Sequence, residues 1–184
     1  MNRALFLDRD GVINVDRGFV WRRQDFEFVD GIFDLVRMAV AHEMLPIVVT
    51  NQSGIGRGYY DEPAFEDLMG FVRYRFEQEL APLTAVYFSP FHPEARVERY
   101  RADHPSRKPK PGMFLDAIAD HGIDPARSAM VGDGWRDALA ASAAGVSAIA
   151  LLGDPGPAPA GAPKVNRFQD LNETLAWFER WVHA

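Results

Sequence analysis

Residues 4–11 read Ala4-Leu5-Phe6-Leu7-Asp8-Arg9-Asp10-Gly11, an apolar run that stops abruptly in two acids and a glycine. Such a run fits a strand buried on both faces. Outward from it, Gly31 to His42 carries Ile32, Leu35, Val36, Ala39 and Val40 at helical spacing. Leu45 to Val49 is a second apolar run, followed by polar Thr50 to Gly58 and a helical stretch from about Pro63 to Leu80. A third run, Ala85 to Phe88, leads into an irregular segment reaching Pro109. Then come a helix from about Pro111 to His121, a strand at Ala129 to Val131, a helix from about Arg136 to Ala144 and a strand at Val146 to Leu152. Gly153 to Pro163, rich in Gly, Ala and Pro, reads as a surface loop. The segment from about Phe168 to His183 reads as a closing helix with Leu171, Leu175, Trp177, Phe178 and Trp181 on its apolar face. Alternating buried strands and helices predict an α/β fold, a parallel sheet with helices on both faces whose site lies beyond the carboxyl ends of the strands.

The chain has 184 residues, 47% hydrophobic and 25% charged, which suits one globular domain over residues 1–184. A formal charge of −6 argues against nucleic acid as the main partner, although a local basic pocket can still bind a small phosphate. Without cysteine there is neither a disulfide nor a thiolate metal site. No stretch approaches the roughly 20 apolar residues that cross a bilayer, so a soluble, cytoplasmic protein, free of the membrane and monomeric, is expected.

The predicted strand ends gather acids, a hydroxyl and a cation: Asp8 and Asp10, then Thr50-Asn51-Gln52-Ser53, then Gly132-Asp133-Gly134, with Lys108 in the long segment between. A phosphate ester is an anion, and carboxylates approach it only if a divalent cation and positive groups offset the repulsion. Asp8 and Asp133 supply the hard oxygen ligands that Mg2+ prefers. Asp8 is then a candidate nucleophile, and Asp10, two residues along, a candidate general acid and base. Thr50 and Lys108 are candidates for binding the phosphoryl oxygens.

The set resembles the haloacid dehalogenase superfamily of phosphatases: Asp8 to Val12 is similar to its first motif, Thr50 to its second, Lys108 to its third, and Gly132-Asp133 with Asp137 to its fourth. Phe6 to Asp16, Phe26 to Gly31, Val48 to Gly58 and Arg107 to Gly112 further resemble the D-glycero-D-manno-heptose 1,7-bisphosphate 7-phosphatases, a subfamily shared in part with histidinol phosphatases. The resemblance implies a Rossmann-like core without a large cap domain. It implies a phosphoaspartate formed on Asp8, and Mg2+ held by Asp8, Asp133 and the backbone carbonyl of Asp10. It also implies substrate contacts from Asp16, Arg17, Gly18 and Phe19, from Thr50, Asn51, Gln52 and Ser53, and from Arg107 and Lys108. The implied substrate is a small phosphorylated metabolite, a heptose bisphosphate on the route to lipopolysaccharide or another surface glycan.

Two positions depart from that pattern. Subfamily members commonly fasten the long segment with zinc on three cysteines and a histidine, where this chain has Ser89, Phe91, His104 and Ser106. No structural zinc is therefore expected, and packing by Tyr87, Phe88, Phe91 and Tyr100 is expected to hold the segment. Gly134 stands where the heptose enzymes usually carry a lysine, which keeps histidinol phosphate or another phosphomonoester open as substrate. A non-catalytic phosphate-binding domain is the reading from another class. Asp137 reads as a helix cap or a prop for the Asp133 loop, and Arg57 as either an anion contact or a surface residue.

Overall fold

The computed structural model describes residues 1–183. Its frame is a six-stranded, all-parallel sheet in the order β3-β2-β1-β4-β5-β6. The strands are β1 (Arg3–Leu7), β2 (Met44–Asn51), β3 (Ala85–Ser89), β4 (Ala129–Gly132), β5 (Ala148–Leu152) and β6 (Asn166–Phe168). The helices are α1 (Ile32–Ala41), α2 (Ser53–Gly56), α3 (Glu62–Gln78), α4 (Gly112–His121), α5 (Trp135–Ala143) and α6 (Leu171–Val182).

Period-two alternation along the strands feeds two separate cores. Leu5, Leu7, Val48, Ala129 and Val131 pack on one face with Leu35, Leu68, Val72 and Phe178 from α1, α3 and α6. Ala4, Phe6, Ile47, Val49, Met130 and Ile149 pack on the other with Phe114, Ala117, Ala138 and Ala141 from α4 and α5. Both faces of the central strands are therefore dry, which explains their near-continuous apolar sequence. Between β1 and α1 the chain holds only loops and a short 3-10 turn at Arg23–Asp25, with no inserted domain.

The tail differs from the sequence reading. Phe168 ends a strand, β6, and the helix begins only at Leu171, where the Asp170 carboxylate accepts hydrogen bonds from the amides of Asn172 (2.9 Å) and Glu173 (3.0 Å). Three polar-flanked residues carry no strand pattern of their own; β6 exists because β5 offers it an edge. The Gly153–Pro163 loop is tied down where Trp135 Nε1 donates to the Gly156 carbonyl at 3.2 Å. Among the described residues, no helix is long and apolar enough to cross a membrane.

The order places β1 and β4 side by side at the point where the chain reverses its direction of travel across the sheet. In open parallel sheets that is where a crevice forms beyond the strand ends.

Candidate active site

At that point β1 delivers Asp8, β4 delivers Asp133, and the first turn of α5 delivers Asp137. One carboxylate oxygen from each lies within 4.8 Å of the others. Lys108 reaches in from the segment before α4, its ammonium 3.0 Å from Asp8 Oδ1, 2.6 Å from Asp137 Oδ1 and 2.8 Å from the Val49 carbonyl. All four side chains are deeply or partly buried. Burial opposes the Lys108 charge, yet Asp137 and Asp8 more than offset it, and the ammonium pKa is raised. Burial pushes the Asp8 carboxyl up to about 7 against the pull of Lys108, with Asp137, Asp133 and Asp10 adding to the rise. Asp133 is likewise pushed up to about 6, by burial and then by Asp137.

Burial is the main cause of both upward shifts, and the crowding of three carboxylates adds to it against the pull of Lys108 and Arg136. Asp137 is provided for within the protein: Oδ2 accepts the amides of Asp133 (3.2 Å) and Gly134 (3.1 Å), and Oδ1 meets Lys108. Both alternatives for Asp137 therefore hold at once, since it caps α5 and props the Asp133 loop. Among the described residues Asp133 Oδ1 is buried without a hydrogen-bond partner, its nearest cation being Arg136 at 3.8 Å. An orphaned carboxylate oxygen beside Asp8 suits a divalent cation with oxygen ligands, so the residues fit Mg2+. Gly11 makes the approach possible: its φ is +82°, and a Cβ there would fall 2.3 Å from Asp133 Oδ2.

Asp8 and Asp10 open into a cleft of about 220 Å3 that is also lined by Asp16, Gly18, Phe19, Asn51, Gln52, Ser53, Tyr60, Arg107 and Arg136. Asp10 Oδ1 accepts from Arg9 Nη2 (2.6 Å) and Asn14 Nδ2 (3.1 Å), and Oδ2 accepts from Gln52 Nε2 (3.1 Å). Thr50 and Lys108 are buried under this cleft rather than in its wall, and Thr50 Oγ1 accepts from Gln52 Nε2 at 2.8 Å. Asn51 clamps the Lys108 backbone, donating to its carbonyl and accepting from its amide, each at 3.0 Å. Arg17 turns out of the cleft lining and pairs with Glu27.

Four participants escaped the sequence reading. Arg9 is fully buried, bonded to Asp10 and to the Val20 carbonyl (2.6 Å) and held 6.0 Å and 5.9 Å from the ring centres of Phe26 and Phe65. An arginine between two acids gave a signal, though an exposed charge has the same pattern. Asn14 and Tyr60 had none. Arg136 had a weak one, as a cation two residues after Gly134, and it joins Arg107 in the cleft wall. Burial, then the charges of Arg136 and Arg57, lower the Arg107 pKa. Arg57 itself lies against His92, Nη2 to Nε2 at 3.0 Å.

The four positions compared with a zinc site form a connected cluster. Ser106 Oγ donates to Ser89 Oγ at 3.0 Å, the Ser106 amide donates to His104 Nδ1 at 3.2 Å, and the His104 ring stacks on Phe91 at 3.8 Å and 9°. Tyr100 closes the group edge-on to Phe91. Tyr87 and Phe88, expected to share this work, instead reach Asp120 of α4 and Phe65 of α3. Because Arg107 Nη1 donates to the Phe91 carbonyl (3.1 Å), the cluster also anchors the cleft. Phe91→Ala is expected to cost about 1–3 kcal/mol, less than for a fully buried ring, and to lower turnover by displacing Arg107 and Lys108. Urea unfolding alongside steady-state kinetics checks both, and unchanged values would show that the ring holds nothing.

Residues 105–163 match a family model described as HAD-hydrolase-like. The chain is 50% identical over 153 residues, 83% of its length and 81% of the relative's, to the D-glycero-alpha-D-manno-heptose-1,7-bisphosphate 7-phosphatase of Burkholderia mallei. It is 43% identical over 149 residues, 81% of its length and 80% of the relative's, to the D-glycero-beta-D-manno-heptose-1,7-bisphosphate 7-phosphatase of Vibrio cholerae. Its fold is similar, with a TM-score of 0.83 and 25% identity over 97% of this chain and 98% of the other, to the solved D,D-heptose 1,7-bisphosphate phosphatase from B. bronchiseptica complexed with magnesium and phosphate.

Proposed function

Because the chain belongs to the haloacid dehalogenase-like heptose-1,7-bisphosphate 7-phosphatase family, and is a phosphatase, we propose that it removes the 7-phosphate of a D-glycero-D-manno-heptose 1,7-bisphosphate. The observation that carries the chemistry is the buried Asp8, paired with Lys108 and clustered with Asp133 at the floor of an open cleft whose wall includes Asp10.

Asp8 attacks phosphorus in line with the leaving oxygen; an Asp8 O–P bond forms as the ester P–O bond breaks. Asp10 gives its proton to the departing alkoxide, then takes one from the water that cleaves the phosphoaspartate, releasing inorganic phosphate and restoring Asp8. The Thr50 hydroxyl, accepting from Gln52, keeps its own hydrogen for a phosphoryl oxygen. Lys108 balances Asp8 and lends its charge to the transferring group. Asp8, Asp133 and the Asp10 carbonyl would hold Mg2+, which supplies the positive charge that lets a carboxylate meet a phosphate dianion. Asp16, Gly18, Phe19, Asn51, Ser53 and Arg107 bind the sugar and its second phosphate, with Arg136 supplying a cation near the place Gly134 leaves bare. The domain spans residues 1–184, the last lying outside the described residues, and works as a cytoplasmic monomer without structural zinc.

The test is phosphate release from a panel of sugar phosphates and histidinol phosphate. The heptose bisphosphate is expected to lead; a higher kcat/KM for histidinol phosphate would move the assignment. Thorough chelation is expected to abolish turnover and Mg2+ to restore it, and elemental analysis of untagged protein is expected to find no stoichiometric zinc. Turnover that survived chelation would remove the metal from this mechanism.

A further inference from the structure

Gln52 was expected at the substrate, and it lines the cleft, but its amide nitrogen is already committed. It is 2% exposed; Nε2 donates both to Asp10 Oδ2 (3.1 Å) and to Thr50 Oγ1 (2.8 Å), and Oε1 accepts from the Tyr60 hydroxyl at 2.6 Å. An amide nitrogen carries two hydrogens, so none is left for a ligand. The NH2 end faces the Asp10 carboxyl group and the Tyr60 hydroxyl donates to the oxygen end.

Tyr60 is in turn held in place. Its ring lies between Trp21, stacked at 5.9 Å and 14°, and Gly54, where a Cβ would come within 2.3 Å of Tyr60 Cε1. Gly54 is required at the start of α2 because the tyrosine occupies the space any side chain would need. Burial, with Asp10 adding and Arg9 opposing, pushes the Tyr60 hydroxyl up to about 12, so it remains a donor.

We propose that Tyr60, acting through Gln52, is a positioning residue that holds Asp10 with Oδ2 as its proton-transferring oxygen. This rests on the assignment of Asp10 as general acid and base. Arg9 and Asn14 occupy Oδ1 with two donors, whereas Oδ2 accepts only from Gln52 and keeps capacity for a proton. Without the Tyr60 hydroxyl nothing fixes the oxygen end of the amide, and the donor to Asp10 Oδ2 is no longer held in place.

The experiment compares benzyl phosphate, whose alkoxide needs a proton to leave, with 2,4-dinitrophenyl phosphate, whose phenoxide does not. The constant kcat/KM isolates the first chemical half, before water attack. Tyr60→Phe keeps the ring between Trp21 and Gly54, and is expected to lower kcat/KM for benzyl phosphate about 10- to 100-fold. For the dinitrophenyl ester the change is expected to stay within about threefold. Gln52→Leu is expected to show the same selectivity on top of a loss shared by both esters, because it also removes the donor to Thr50, and Asp10→Asn a larger selectivity. Equal losses on both esters in Tyr60→Phe, or no loss, would overturn the positioning role while leaving Asp10 intact. If Asp10→Asn showed no selectivity, the assignment of Asp10 itself would fail instead.

Discussion

Asp8→Asn is expected to reduce turnover by at least about 10^4-fold, the scale of loss when a nucleophile is removed, while leaving the protein folded. The amide has the shape of the carboxylate, so its oxygen can still accept from the Arg9 amide (2.7 Å in the native protein) and face Lys108. It lacks the anionic oxygen that in the proposed mechanism attacks phosphorus, and the charge that would help hold Mg2+. Lys108 retains Asp137 at 2.6 Å, so no cation is left buried alone. Circular dichroism melting close to that of the native protein, together with loss of turnover and of acid-trapped phosphoprotein, is the expected result. Native-level turnover in a clean preparation would rule Asp8 out as the nucleophile.

Lys108→Met is expected to damage both stability and chemistry. The lysine side chain is wholly buried, and the ammonium stands between Asp8 and Asp137 while donating to the Val49 carbonyl. Methionine fills much of the same space but leaves two buried carboxylates uncompensated, a change that costs about 3–5 kcal/mol when a buried pair loses one partner. The acids respond by taking up protons, which also disarms the nucleophile. Turnover is expected to fall by about 10^2- to 10^3-fold or more, as when a transition-state donor is deleted. Excess Mg2+ is expected to recover some stability by binding the folded state, without recovering turnover. Lys108→Arg is not expected to rescue, because a planar guanidinium does not fit a closed site built for a compact ammonium. Urea unfolding with and without Mg2+, followed by kinetics on the folded fraction, checks each part. Stability and turnover both at native levels would show that the ammonium is dispensable.

Much of the frame was legible because buried parallel strands write themselves as apolar runs. Ala4 to Leu7 and Ala129 to Val131 lie within β1 and β4, and the acids that follow them fall at neighbouring strand ends. Asn166 to Phe168 was not legible, since an edge strand of three residues is defined by what pairs with it. The aromatic cluster was half legible. Phe91 and Tyr100 hold the segment before Lys108, but whether Tyr87 and Phe88 turn toward it or toward α4 and α3 depends on strand pleat and neighbours.

Residue types at the strand ends, and the chemistry they offer, are written in the chain itself: acids, a hydroxyl and a lysine in an order that a parallel sheet converts into proximity. How each polar group is used depends on the packing of the folded chain. Asn51 grips a backbone, Gln52 bridges Asp10 and Thr50, Asp137 caps a helix and steadies a lysine, and Asp133 Oδ1 has no hydrogen-bond partner among the described residues. Strand and helix periods are local properties of a chain, readable one segment at a time. Hydrogen-bond partners come from segments as far apart as Asn51 and Lys108, and each donor and acceptor is committed only when packing brings those segments together.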